Sequence, residues 1–154
     1  MHEDIRRAAE ELVLRHGTHN PFRLALYEGI PVLRPALPPG VRGFYQAFGG
    51  RRIIHVSASL PMPLADAVCA HELGHALLHP SQNSPLLSEN PLYLAGRPER
   101  DAELFSFYLL EGNAAVRDYG TLEKASAVTG LSERALLLGL ADLSSGYEPL
   151  TPDI

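Results

Sequence analysis

The sequence predicts an α+β fold, and three features point to it. Apolar residues recur at helical spacing towards both ends of the chain. Between them, two aromatic or β-branched runs flank a Gly49-Gly50 turn, the pattern of a hairpin. The stretch from His71 to His79 then reads as a buried helix. A chain of 154 residues makes one domain with a substantial core. Apolar content of 45% and charged content of 20% are those of an ordinary globular protein. The formal net charge of −5 argues against broad nucleic-acid binding, which calls for a basic surface. A lone cysteine, Cys69, excludes an internal disulfide and fits a reducing compartment. The start of the chain lacks the apolar centre of a secretory leader, and no run approaches the ~18 apolar residues of a membrane span. A cytoplasmic protein with no membrane association is expected.

In order along the chain, residues 3–16 form an amphipathic helix with Ile5, Ala8, Ala9, Leu12 and Val13 on one side and Gly17 ending it. Asn20-Pro21 starts a second helix, with Asn as the cap and Pro in the first turn, and Gly29 ends it. Ile30 to Leu33 is a short strand. Residues 43–48 and 51–56 are the two arms of the hairpin, which leads directly into the central helix. Two of its side chains have alternative readings. Tyr45 is a donor to a developing oxyanion or a packing residue. His55 assists at the site or is a strand histidine with a local hydrogen bond.

The stretch His71-Glu72-Leu73-Gly74-His75 carries the H-E-x-x-H pattern, which on a helix is a zinc site with a general base. At about 100° per residue, His75 lies roughly 40° round from His71 and one turn along. Both imidazoles therefore reach one ion. Glu72, about 100° from His71, is placed to reach a water on that ion rather than the ion itself. Pro61 and Pro63 stand before the helix and Pro80 after it. Cys69 is about 200° from His71 and points into the core. Zinc needs a third protein ligand, which the rest of the chain must supply.

Residues 80–97, rich in Pro, Ser and Asn, form a long connection between the parts of the site, a position suited to a lid. The stretch from Arg97 to Leu110 is a helix started by Pro98 and apolar except along one stripe. On that stripe Glu103 lies about 40° from Glu99, with Ala102 and Ser106 within about 60°. Small residues allow close approach of another helix, which makes Glu99 the candidate third ligand; on the stripe alone, Glu99 and Asp101 read more readily as favourable charges in the helix's first turn. Glu103 then accepts a hydrogen bond from a ligating imidazole and fixes its tautomer. Asp101, about 200° from Glu99, is expected to face solvent or the helix N-terminus. His79 competes for the ligand role, but it lies about 12 Å along the helix from His71 and no Gly follows His75 to break the helix. A cap at the helix end suits it better.

These residues together resemble the ImmA/IrrE metallopeptidases over about residues 24–140. The resemblance rests on Gly29-Ile30-Pro31-Val32, Gly43-Phe44-Tyr45, His71 to His79, and Glu99 to Leu110, which is similar to the family's second motif. Glu103 stands where the family often has Asn, and Glu111-Gly112 replaces the usual Met-Pro. The resemblance implies Glu99 as the third ligand. It also implies a narrow substrate: a helix-turn-helix transcriptional repressor, cut at one site to relieve repression.

Residues 121–128 and 132–140 are two short helices around Thr129-Gly130-Leu131, a helix-turn-helix-like pair within residues 118–141. The second helix presents Glu133, Arg134, Ala135 and a run of Leu rather than basic and amide side chains, which favours structure or substrate docking over DNA binding. Residues 142–154 are expected to be a flexible tail. The expected molecule is thus a small zincin-like α+β domain over residues 1–141. A short mixed or antiparallel sheet packs on the H-E-x-x-H helix, and the C-terminal part is helical. Its expected site has Zn²⁺ on His71, His75 and Glu99, Glu72 as base, Tyr45 as a candidate oxyanion donor and Glu103 behind one of the ligating imidazoles. The alternative is a non-catalytic metal-binding regulatory module that binds a repressor or, less favoured, DNA.

Overall fold

A computed structural model describes residues 2–84, 87–88 and 96–146. The elements run α1 (His2–His16), α2 (Pro21–Tyr27), β1 (Val32–Leu33), β2 (Val41–Phe48), β3 (Arg51–Val56), α3 (Leu64–Leu78), β4 (Leu87–Ser88), α4 (Arg97–Leu109), α5 (Gly112–Tyr119), α6 (Leu122–Thr129) and α7 (Glu133–Gly146). The fold is α+β, with a four-stranded mixed sheet of order β1-β3-β2-β4. β1 pairs parallel to β3, and β2 pairs antiparallel to both β3 and β4.

Local chemistry accounts for most boundaries. The Asn20 side chain accepts from the backbone N–H groups of Phe22 and Arg23 at 3.0 and 3.2 Å, the geometry of a helix N-cap. Gly49 and Gly50, both at positive φ, turn the hairpin between β2 and β3. Along β2 and β3 the inward side is Gly43, Tyr45, Ile54 and Val56, all buried, as a period of two requires. α3 lies on that side. A Cβ on Gly43 would sit 2.5 Å from the His55 carbonyl oxygen and 2.8 Å from Val68 Cγ1, so the helix seats on the sheet only because this position has no side chain.

α3 is the hub: Ala65 and all residues from Ala67 to Ala76 are buried. The sheet covers one side, α2 another, and α4 a third. α4 in turn separates two apolar clusters. One contains Ile5, Leu12, Leu24, Tyr45, Ile54, Leu73 and Phe105; the other contains Phe107, Ala125, Leu131, Ala135 and Leu136.

Two expectations change. α7 continues through Gly146, into the stretch expected to be loose tail. The reason is tertiary: the Tyr108 hydroxyl donates to the Asp142 carboxylate, and Leu143 packs on the second cluster. Residues 147–154 lie outside the described residues. The connection at 80–97, read as irregular, contains β4 and runs beside β2; the lid expectation for its remainder, 85–86 and 89–95, falls outside the described residues. The helix α5 between the metal-site helices and the final pair had no distinct signal in the sequence. It is entered through Glu111 in the left-handed region, φ 54°.

Candidate metal centre

α3 supplies two imidazoles, as the four-residue spacing requires. The His71 and His75 rings are 5.0 Å apart between centroids and tilted by 66°. α4 crosses beside them and brings two carboxylates. Glu99 Oε1 is 3.2 Å from His71 Nε2, and Glu99 Oε2 is 2.5 Å from His75 Nε2. One ligand atom from each of His71, His75 and Glu99 lies within 4.8 Å of the others, and all three residues are buried. No other such metal-binding group occurs among the described residues.

The approach of the two helices is set by small residues. A Cβ on Gly74 would lie 3.1 Å from Phe105 Cβ and 3.2 Å from Ala102 Cα. The glycine inside the H-E-x-x-H pattern is thus the point where α4 touches α3. That contact brings Glu99 to the imidazoles.

The donor set fits a divalent cation of the zinc type. Two imidazole nitrogens and one carboxylate oxygen are a common three-ligand set with one position left for water. The hydrogen bonding agrees. His75 Nε2 and Glu99 Oε2 are buried and close, yet neither makes a hydrogen bond of acceptable geometry. Buried polar atoms without partners are costly, and a shared cation would satisfy both.

The His71 Nδ1–H donates to Glu103 Oε1 at 2.7 Å, which leaves Nε2 on the Glu99 side. This carboxylate–imidazole pair holds the ring orientation. Burial would push the His71 imidazole down. Its hydrogen bonds to Glu103 and Glu99 outweigh that and raise it well above 6.5 in the metal-free protein. Burial works against ionised Glu99 too, but the adjoining His71 and His75 imidazoles bring it down to about 2.

Glu72 is fully buried, and burial raises its carboxyl above the usual value, opposed by the nearby imidazoles and by a hydrogen bond from Ser84. Ser84 Oγ donates to Glu72 Oε1 at 2.8 Å, while Glu72 Oε2 is buried with no hydrogen-bond partner among the described residues. Ser84 was not singled out in the sequence. It sits among Ser81, Asn83 and Ser88, and only its pairing with β2 distinguishes it.

Tyr45 is fully buried and its hydroxyl donates to the Pro80 carbonyl at 2.6 Å, so its proton is already committed. His55 stacks on Phe44 with centroids 4.1 Å apart and lies 3.3 Å from Gln46 Oε1. His79 ends α3 and pairs with Asp101 at 3.2 Å. Asp101 is therefore buried against α3 rather than facing solvent, because α4 is enclosed on more sides than its own stripe indicates. Cys69 is fully buried, and burial pushes its thiol well up, which leaves it inert.

A groove of about 410 Å³ between α1, α5 and the end of α4 is lined by residues such as Arg6, His19 and Tyr108 and contains none of the site residues. A smaller cavity of about 60 Å³ touches His71 and Glu103.

Comparison with known proteins decides the family. The IrrE N-terminal-like domain, a peptidase family, matches residues 25–129, a span that contains every residue of the centre. The chain belongs to this IrrE-like peptidase family. A relative, "Uncharacterized immunity region protein 2" of Bacillus phage phi105, is 32% identical over 146 residues, covering 92% of each chain. In the IrrE-like chain the matched segment ends at the last residue of α6. Among the described residues no helix is long and apolar enough to cross a membrane.

Proposed function

We propose that the chain is a zinc-dependent endopeptidase that cleaves a helix-turn-helix transcriptional repressor in the cytoplasm. The observation that carries the catalytic part is the buried group of His71, His75 and Glu99, with Glu72 beside it. A bound zinc would supply Lewis-acid polarisation of the scissile carbonyl and a water acidified towards pKa ~7. His71 and His75 would hold the ion through neutral nitrogens, and Glu99 through a carboxylate oxygen. Glu103 keeps the His71 Nδ1–H engaged so that Nε2 faces the ion. Glu72 takes a proton from the attacking water and delivers it to the leaving amine. The free Oε2 of Glu72 suits that role, since it has no other hydrogen-bond partner among the described residues.

The substrate part rests on the resemblance and on the phage relative, whose name places it in an immunity region. Burial of the whole centre also suits a metal with a structural role in a module that binds a repressor without cutting it. One experiment separates the two. The purified protein is analysed for zinc and incubated with the repressor encoded nearest to its gene. Cleavage at one site, abolished by a chelator, is expected. Glu72→Gln should keep zinc and lose cleavage by about 10²–10⁴-fold. Retained cleavage in Glu72→Gln refutes the general base, and binding without cleavage in the zinc-loaded wild type leaves the module.

A further inference from the structure

We propose that Ser84 is a positioning residue for Glu72: its hydroxyl holds one carboxylate oxygen so that the other is presented to the metal-bound water. The inference rests on the metallopeptidase reading above, and concerns how the base is aimed. Three hydrogen bonds converge on Ser84. Its backbone N–H donates to the Tyr45 carbonyl at 3.0 Å. Its Oγ accepts from the Tyr45 N–H at 2.7 Å. Its hydroxyl proton goes to Glu72 Oε1 at 2.8 Å.

The first two bonds tie Ser84 to the backbone of β2 at a residue whose own side chain is fully buried. The neighbouring Asn83 adds a further tie, its Oδ1 accepting from the Ala47 N–H at 2.7 Å. The Ser84 oxygen is therefore fixed in space by a rigid strand rather than by a free loop. A hydroxyl has one proton and two lone pairs. Because the Tyr45 N–H engages a lone pair, the proton is directed to the carboxylate.

The effect on Glu72 is asymmetric. Oε1 is engaged, whereas Oε2 is buried and without a hydrogen-bond partner among the described residues. Without Ser84 the carboxylate would be free to turn about its terminal torsion, which is broad for a Glu side chain. A general base must lie within hydrogen-bond reach of its proton in a set geometry. A strand-anchored hydroxyl provides that restraint from outside the ligand set.

The test uses the full chain loaded with Co²⁺ in place of zinc, read by the visible absorption of the bound ion at fixed pH. Glu72→Gln sets the reference shift for a disturbed water beside the metal. Ser84→Ala is expected to bind Co²⁺ as tightly as wild type and to shift the bands in the same direction as Glu72→Gln. Ser84→Thr, which keeps the hydroxyl, should restore the wild-type spectrum. A wild-type spectrum in Ser84→Ala overturns the proposal and leaves the metallopeptidase reading standing. Equal shifts in Ser84→Ala and Ser84→Thr also overturn it, since the effect then follows from packing. Failure of the wild type to bind Co²⁺, or no shift in Glu72→Gln, removes the metallopeptidase reading and the proposal with it. Thermal unfolding of each variant checks that the fold is kept.

Discussion

His71 is the residue with the most to satisfy, for it meets Glu103 through Nδ1 and Glu99 through Nε2. Replacing Glu103 by Ala removes the partner that orients the ring. Zinc affinity should fall by about 10–100-fold, measured by competition with a chromophoric chelator. The same imidazole governs the pH response. In the metal-free protein its folded-state value is raised well above 6.5. A raised imidazole contributes stability that is complete below its unfolded value and is lost as pH rises through the folded one. A zinc ion held on Nε2 would take the proton's place there, so its binding would release a proton and be favoured by higher pH. The thermal stabilisation conferred by zinc should therefore keep growing as pH rises above 6.5 towards the raised folded-state value. A stabilisation independent of pH across that range would refute protonated His71 as the metal-free state.

At the scale of elements, the decisive contact is between α3 and α4 at Gly74, Ala102 and Phe105. A β-branched side chain there has no room. Gly74→Val is expected to destabilise by about 1–3 kcal/mol through overpacking, read by urea unfolding. It should also weaken zinc binding, because α4 moves and takes Glu99 with it. If zinc affinity is unchanged while stability falls, α4 is not positioned by this contact. The element boundaries were largely legible in the sequence, since caps and turns are local: Asn20-Pro21, Gly17 and Gly49-Gly50 act through their own backbone neighbours. β4 was not legible. Two residues carry no periodicity, and Leu87 and Ser88 become a strand only by pairing with β2.

Across the whole molecule, α4 is a partition between the sheet-side cluster and the C-terminal helical cluster. Phe107 points into the second. A Cβ on Gly139 would fall 2.2 Å from its ring, so α7 closes directly over it. Phe107→Ala is expected to cost about 3–5 kcal/mol in denaturant unfolding. Zinc binding should restore part of that loss, because the ligand stabilises the folded state through the same helix. The helix-turn-helix-like pair serves this closure: Gly130 passes so close to Pro63 that a Cβ would lie 2.3 Å from its carbonyl oxygen. Leu131, Ala135 and Leu136 turn inward to Phe107, which explains the leucines that replaced polar side chains on the second helix.

The sequence by itself determined the α+β class, most helix boundaries, the hairpin and the pairing of an H-E-x-x-H helix with a second acidic helix. Each is written in short-range periodicity, in caps, or in residue types with few alternative uses. One helical stripe made Glu99 a candidate third ligand beside the reading of a favourable first-turn charge, and the family resemblance favoured the ligand. Only the tertiary structure decided what each polar side chain does on arrival. It committed the Tyr45 hydroxyl to Pro80, turned Asp101 to His79, and set Ser84 against Glu72. These outcomes depend on which backbone lies across from which, over separations of 12 to 35 residues, and no local pattern carries that information.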